Sequence, residues 1–330
     1  MPYEKYFVTL QLSTFILAPT SGINRTNHKN ERTMNLDGRR ESSNVEDRRG
    51  MSGGKKAGLG AGVVGIIIAM AMAYFSGGDP LQAGMQAFQE NGGLGSLTGT
   101  NTEVSEEQRE FTEEEQELAR FSTQILAGTE DVWSDIFSDQ GWEYEVPTMV
   151  LYTDGTPTAC GQGSAAMGPF YCSGDQKLYI DLSFFTTMKQ QLGADGDFAY
   201  AYVIAHEVGH HVEYLTGTLQ KVHQQMAKMS QKEANKLSVR LELLADFYAG
   251  VWAHHDDERF GSLEDGDIEE AINCAQKIGD DYLQTKARGY AVPESFNHGT
   301  SKQRMKWFKL GLETGDISRG NTFECSDAEL

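Results

Sequence analysis

The apolar positions along the chain fall into distinct regimes. From Ala57 to Phe75 nineteen successive residues carry no charge. Beyond residue 110 the apolar positions become periodic. Thr112-x-x-Glu115 is a capping-box pattern. Behind it Leu118, Phe121, Ile125, Val132, Trp133, Ile136 and Phe137 recur at helical spacing and predict one long helix, or two, over 113–138. Val146–Tyr152 reads as a strand. Lys177–Phe185 reads as another, because Leu178, Ile180, Leu182 and Phe184 alternate. Further helices are predicted over Phe198–Thr216, Gln231–His255, Asp267–Thr285 and Lys302–Glu313. A small sheet beside several helices is an α+β arrangement.

The uncharged run changes the picture of the whole chain. A helix of nineteen residues is roughly 28 Å long, close to the hydrocarbon core of a bilayer. The pattern therefore predicts one transmembrane helix over 57–75. Arg39, Arg40, Arg48, Arg49, Lys55 and Lys56 precede it, and Asp79 and Glu90 are the first charges after it. The Lys/Arg bias predicts a cytoplasmic N-terminal segment, 1–56, and a domain beyond the membrane. Residues 76–110 are Gly-rich and then acidic, which reads as a linker. The soluble domain is then 111–330. Phe7–Ala18 has the pattern of a weak signal-peptide core, but only Lys5 precedes it, against Glu4. A start at Met34 is the other reading of 1–33.

Net charge sharpens this division. The formal charge of −20 is an average over +4 in residues 1–56 and −24 in the remainder. An acidic domain excludes nucleic acid as a natural partner, because phosphate binding needs clustered Lys and Arg.

The chemistry lies on two of the predicted helices. His206, Glu207 and His210 form H-E-x-x-H. Spacing i, i+4 puts both imidazoles on one helix face, where they can share a tetrahedral ion. Glu207 stands one step round the helix, placed to take a proton from a water activated by the metal. A third ligand is expected on another helix. Glu242 and Asp246 are again i, i+4, in an apolar stretch where a buried acid needs a partner. Zn2+ satisfies Glu242, and Asp246 can accept the second ring N–H of a ligand histidine, His206 being preferred. Tyr248, His254, His255 and His298 are candidates for the donor that steadies a developing oxyanion, with His298 preferred as a catalytic residue. His211 points about 100° from His210 and is expected to pack or hydrogen-bond.

These motifs resemble a known family. H-E-x-x-H followed by E-x-x-x-D is similar to the gluzincin branch of zincin metallopeptidases. More closely, the chain resembles the putative neutral zinc metallopeptidase family, the YpfJ-like bacterial membrane proteins. The matching stretches are MNLDGRRESSNVEDRRG, ACGQGSAAMGPFYCSGDQKLYIDLSFF, AHEVGHHVE, ELLADFYAGVWAHH, IGDDYLQ and SFNHGTSKQRMKWF. They run from Met34 to about Phe323, which favours the later start. Leu244 stands where the family's common form has Gln, and Phe247 where it has Cys. The resemblance implies a zincin-like domain, mostly helical with a small sheet. It also implies zinc ligands His206, His210 and Glu242, Glu207 as acid/base, and a single-pass anchored peptidase acting on polypeptides. The alternative on the same scaffold is a non-catalytic zinc-binding protein that mediates envelope interactions.

The cysteines bear on compartment. Cys160 and Cys172 flank a Gly-rich loop at bridging distance in sequence, leaving Cys274 and Cys325 as a second pair. Two bridges fit an extracytoplasmic, periplasmic domain. The other reading is four reduced thiols.

Overall fold

The computed structural model describes residues Val8–Thr9, Met34–Gly50 and Glu110–Leu330. The expected span 57–75, all of the expected linker 76–110 except Glu110, and the rest of 1–33 lie outside the described residues. Among the described residues no helix is long and apolar enough to cross a membrane.

One five-stranded sheet carries the α+β frame. Its strands are β1 (Val8–Thr9), β2 (Val45–Asp47), β3 (Thr148–Tyr152), β6 (Phe170–Cys172) and β7 (Lys177–Asp181), in the order β1-β6-β7-β3-β2. Strands β2, β3 and β7 are parallel, and β6 and β1 are antiparallel additions at one edge. The central strands TMVLY and KLYID are buried along most of their length. This is what two covered faces demand of parallel strands. A separate hairpin, β4 (Gly155–Thr158) with β5 (Gly161–Ser164), leads toward β6. The Cys160–Cys172 disulfide ties that region together.

Two expectations about strands change. The second strand ends at Asp181 rather than running to Phe185. Leu182 turns helical, Asp181 accepts the Ser183 N–H at 3.0 Å, and Ser183–Thr187 forms the short helix α2. The strand β2 lies in a segment expected to stand apart from the domain. Residues 34–49 belong to the same compact unit as 111–330. Val45, Glu46 and Asp47 pair with Met149, Val150 and Leu151. Three residues of sequence VED are too short and too charged to show a strand period.

Helices cover the sheet. They are α1 (Glu113–Asp139), α3 (Asp197–Leu215), α4 (Thr218–Met226), α5 (Gln231–Phe260), α6 (Asp267–Lys277), α7 (Asp280–Arg288) and α8 (Ser301–Thr314). Helix α1 starts at the expected capping box of Thr112 and Glu115. Helix α5 starts at Ser230, whose side chain accepts the Glu233 N–H, and stops at left-handed Gly261. Helix α8 has its own capping box, Thr300 with Gln303. The single helix expected over Asp267–Thr285 is two. The chain breaks at Ile278–Gly279, where a Cβ on Gly279 would stand 2.3 Å from the Ser301 nitrogen. That close approach forces the turn.

Helix α3 is the core of the domain. Every residue from Phe198 to Glu213 except Tyr200 is buried. It crosses α5 at Gly209, where a Cβ would stand 2.9 Å from both the Cα and the carbonyl oxygen of Ala245. Backbone cannot yield as a side-chain tip can. Gly209→Ala is therefore expected to force the helices apart and cost about 1–3 kcal/mol. Denaturant unfolding of the variant measures this, and wild-type stability would refute the close-approach account.

Candidate metal centre

The crossing of α3 and α5 brings together the residues that the two motifs single out. His206, His210 and Glu242 each offer one atom, all within 4.8 Å of one another, and all three residues are buried. His206 Nε2 lies 3.3 Å from Glu242 Oε2, and His210 Nε2 lies 3.7 Å from Glu242 Oε1. The other ring nitrogen of each histidine is engaged by its own acid. His206 Nδ1 meets Asp246 Oδ1 at 2.8 Å, as expected, and His210 Nδ1 meets Glu213 Oε2 at 2.9 Å. Both Nε2 atoms therefore face one point beside Glu242. His210 Nε2 is buried with no hydrogen-bond partner. An orphaned imidazole nitrogen next to a buried carboxylate fits a cation between them.

The electrostatics follow from burial and from the company each group keeps. Burial alone would strip His206 of its charge, but Asp246 and Glu242 raise its pKa to about 9. Burial holds His210 at about 3, against the pull of Glu242. Burial pushes Glu242 up, yet His298 and the two ligand imidazoles bring it down to about 2. Glu207 is raised to about 8 by burial, with His206 opposing and Glu242 adding. Glu242 is thus held as a carboxylate between the two imidazoles, with the buried acid Glu207 beside the group.

Glu207 is 1% exposed, and its Oε2 has no hydrogen-bond partner. The Tyr171 backbone N–H donates to its carboxylate. That links the acid to strand β6.

The oxyanion candidates separate cleanly. His298 is buried, and its Nδ1 lies 3.1 Å from Asp280 Oδ1. Asp280 also accepts the backbone N–H groups of Asn297, His298 and Gly299 at 2.7–3.1 Å. His298 is raised above its ordinary pKa against burial, by Glu242 first and Asp280 next. Tyr248 stacks edge-on against Trp133 with ring centroids 5.3 Å apart. His254 and His255 bond the carbonyls of Leu312 and Gly315 and form a separate group with Glu258. Only His298 of these four interacts with the ligand set. His211 bonds the Tyr171 hydroxyl at 3.0 Å and the Glu145 carbonyl at 2.6 Å, a packing role as expected.

Sequence reasoning missed four residues here. Glu213 was visible in principle, since it follows His210 by three and shares its face. Burial pushes its carboxyl well above the ordinary range, with Glu242 and Asp246 adding to the effect. Asp280 is set by the break between α6 and α7. Arg304 is 0% exposed and clamps Asp246 with Nε and Nη2, each at 2.8 Å. Tyr202 donates its hydroxyl to the same carboxylate at 2.5 Å. Asp246 stays far below the ordinary carboxylate range, because Arg304 and His206 overcome its burial. The cysteine expectation is corrected in its second half. Cys274 is free and buried 3.7 Å from Met188 Sδ, and Cys325 is also free.

A buried H-E-x-x-H helix is crossed by a second helix that supplies a carboxylate, and each imidazole is oriented by its own acid, an arrangement suited to hold a metal ion. The family described as putative neutral zinc metallopeptidase matches residues 34–323, and the chain belongs to it. The family's metal is zinc, and the buried His206, His210 and Glu242 group could hold it. The chain is 47% identical over 297 residues to the uncharacterized protein YpfJ of Escherichia coli K12, covering 88% of this chain and 99% of that protein. It is 40% identical over 194 residues to the uncharacterized protein Rv2575 of Mycobacterium tuberculosis H37Rv, covering 56% of this chain and 64% of that one. No solved structure matches it.

Proposed function

We propose that the chain is a zinc-dependent peptidase attached to a membrane through residues 57–75, with its catalytic domain outside the cytoplasm. The observation that carries the activity is Glu207. It is buried beside the ligand set, it is not one of the ligands, and one carboxylate oxygen is left unpartnered. A purely structural zinc site has no use for such an acid, which weighs against the non-catalytic envelope role. The Cys160–Cys172 disulfide fits an oxidising compartment.

Zinc, when bound, supplies Lewis acidity toward a water and toward a substrate carbonyl. The chain's own residues supply the rest. His206, His210 and Glu242 hold the metal, while Asp246 and Glu213 fix the imidazole orientations. Glu207, buried beside the ligand set with one carboxylate oxygen unpartnered, accepts a proton from water and passes it to the departing amine. His298, held by Asp280, donates toward the oxygen on which charge develops.

The full chain is expected to hydrolyse a denatured protein or peptide library and to stop when a chelator is added. No cleavage under any metal condition would count for the binding role. His206→Ala, His210→Ala and Glu242→Ala should each lose the metal, as read by zinc content of the purified protein. Full zinc occupancy in His206→Ala would sink the ligand assignment.

A further inference from the structure

We infer that the segment preceding the uncharged run and the catalytic domain following it lie on the same side of the membrane. This rests on the membrane attachment proposed above.

Residues 34–49 are built into the domain rather than laid on it. Strand β2 runs parallel with β3 in register, and Met149 N–H donates to the Asn44 carbonyl while Arg48 N–H donates to that of Leu151, at 2.9 and 2.7 Å. Arg39 grips Asp256 through both nitrogens, and its side chain is 8% exposed against 2% for Asp256. Ser42 donates to buried Glu130, and the nitrogen of buried Met34 donates to Asp197 at 2.6 Å. The departure and return of the chain are also adjacent. The Arg49 guanidinium lies 4.3 Å over the Phe111 ring, and its Nη1 donates to the Glu115 carbonyl at 2.8 Å.

The stretch between Arg49 and Phe111 thus begins and ends at one place on the domain. It contains one run long enough for a bilayer, 57–75. On the way back the longest uncharged runs are 80–89 and 91–102, far short of the roughly 20 residues a helical crossing needs. A single crossing would put β2 and β3 in different compartments, with Arg39 parted from Asp256. The flanks therefore share a side.

Four of the six residues behind the Lys/Arg bias are taken up by the fold. Arg39, Arg40, Arg48 and Arg49 are paired with Asp256, Glu130 and Asp131, Glu46, and Asp47. They serve the fold.

The test uses the full chain in intact spheroplasts, with Cys325→Ser removing the half-exposed thiol. Single cysteines are placed at exposed positions before the run, Asp37→Cys and separately Glu41→Cys, and after it, Lys302→Cys. A membrane-impermeant maleimide is added before or after lysis. Equal labelling of all three before lysis is the expected result. Labelling of all three only after lysis keeps the same-side arrangement and refutes the extracytoplasmic placement. Labelling of Lys302→Cys before lysis, with both N-terminal positions labelled only afterwards, overturns the inference. Recovery of the chain in the soluble fraction refutes the membrane attachment and the inference with it.

Discussion

Glu207→Gln is expected to leave zinc at one ion per chain and to lower kcat by about 10²–10⁴-fold, the usual worth of a positioned acid/base. The two side chains have the same shape. Gln can keep the bond from the Tyr171 N–H, and the residue is outside the ligand set, so neither fold nor metal has reason to change. What Gln cannot do is accept a proton. KM should move little, because the carboxylate is expected to act only as charge moves in the transition state. Steady-state kinetics on a cleaved peptide, together with zinc content, check both halves. A rate within tenfold of wild type would show that another group takes the proton. Loss of zinc would show instead that Glu207 helps hold the ion.

What could be read from the sequence was what lies within one turn of a helix. His206 with His210, and Glu242 with Asp246, announce themselves because spacing i, i+4 fixes a shared face whatever the rest of the chain does. Glu213 obeys the same rule at i, i+3 and needed only a question about the second nitrogen of His210. Arg304 and Asp280 could not be found this way. Arg304 reaches Asp246 across 58 residues of chain, and Asp280 exists as an anchor only because Gly279 meets Ser301 and splits a helix that looks continuous. The charged strand Val45–Asp47 is legible only from its partner β3. The same limit explains the cysteines. A 12-residue separation made Cys160–Cys172 a reasonable pair, while Cys274 and Cys325 were joined by elimination, and packing places Cys274 against Met188 instead.

Breaking the Asp246–Arg304 pair is expected to have the largest effect on stability of any single change near the site. Both side chains are 0% exposed, and Arg304 Nη1 already lacks a partner. Arg304→Met leaves a buried carboxylate supported only by Tyr202 and His206. Asp246→Leu leaves a buried guanidinium with no carboxylate bonded to it. Each should cost about 3–5 kcal/mol, because removing one partner leaves an uncompensated charge out of water. Zinc affinity should also fall by about 10–100-fold, as His206 loses either its orienting acid or the clamp that holds it. The combined variant separates the two effects. With neither charge present the desolvation penalty disappears, so its stability should lie well above the sum of the single losses. Its zinc affinity should not recover, because the Nδ1 of His206 still lacks an acceptor. Denaturant unfolding of the metal-free protein and zinc titration of the same samples read these separately. Additive stability losses would show that Arg304 and Asp246 do not act as a pair. Recovered affinity in the combined variant would show that the orientation of His206 comes from the packing of α3 against α5 and owes nothing to the carboxylate behind it.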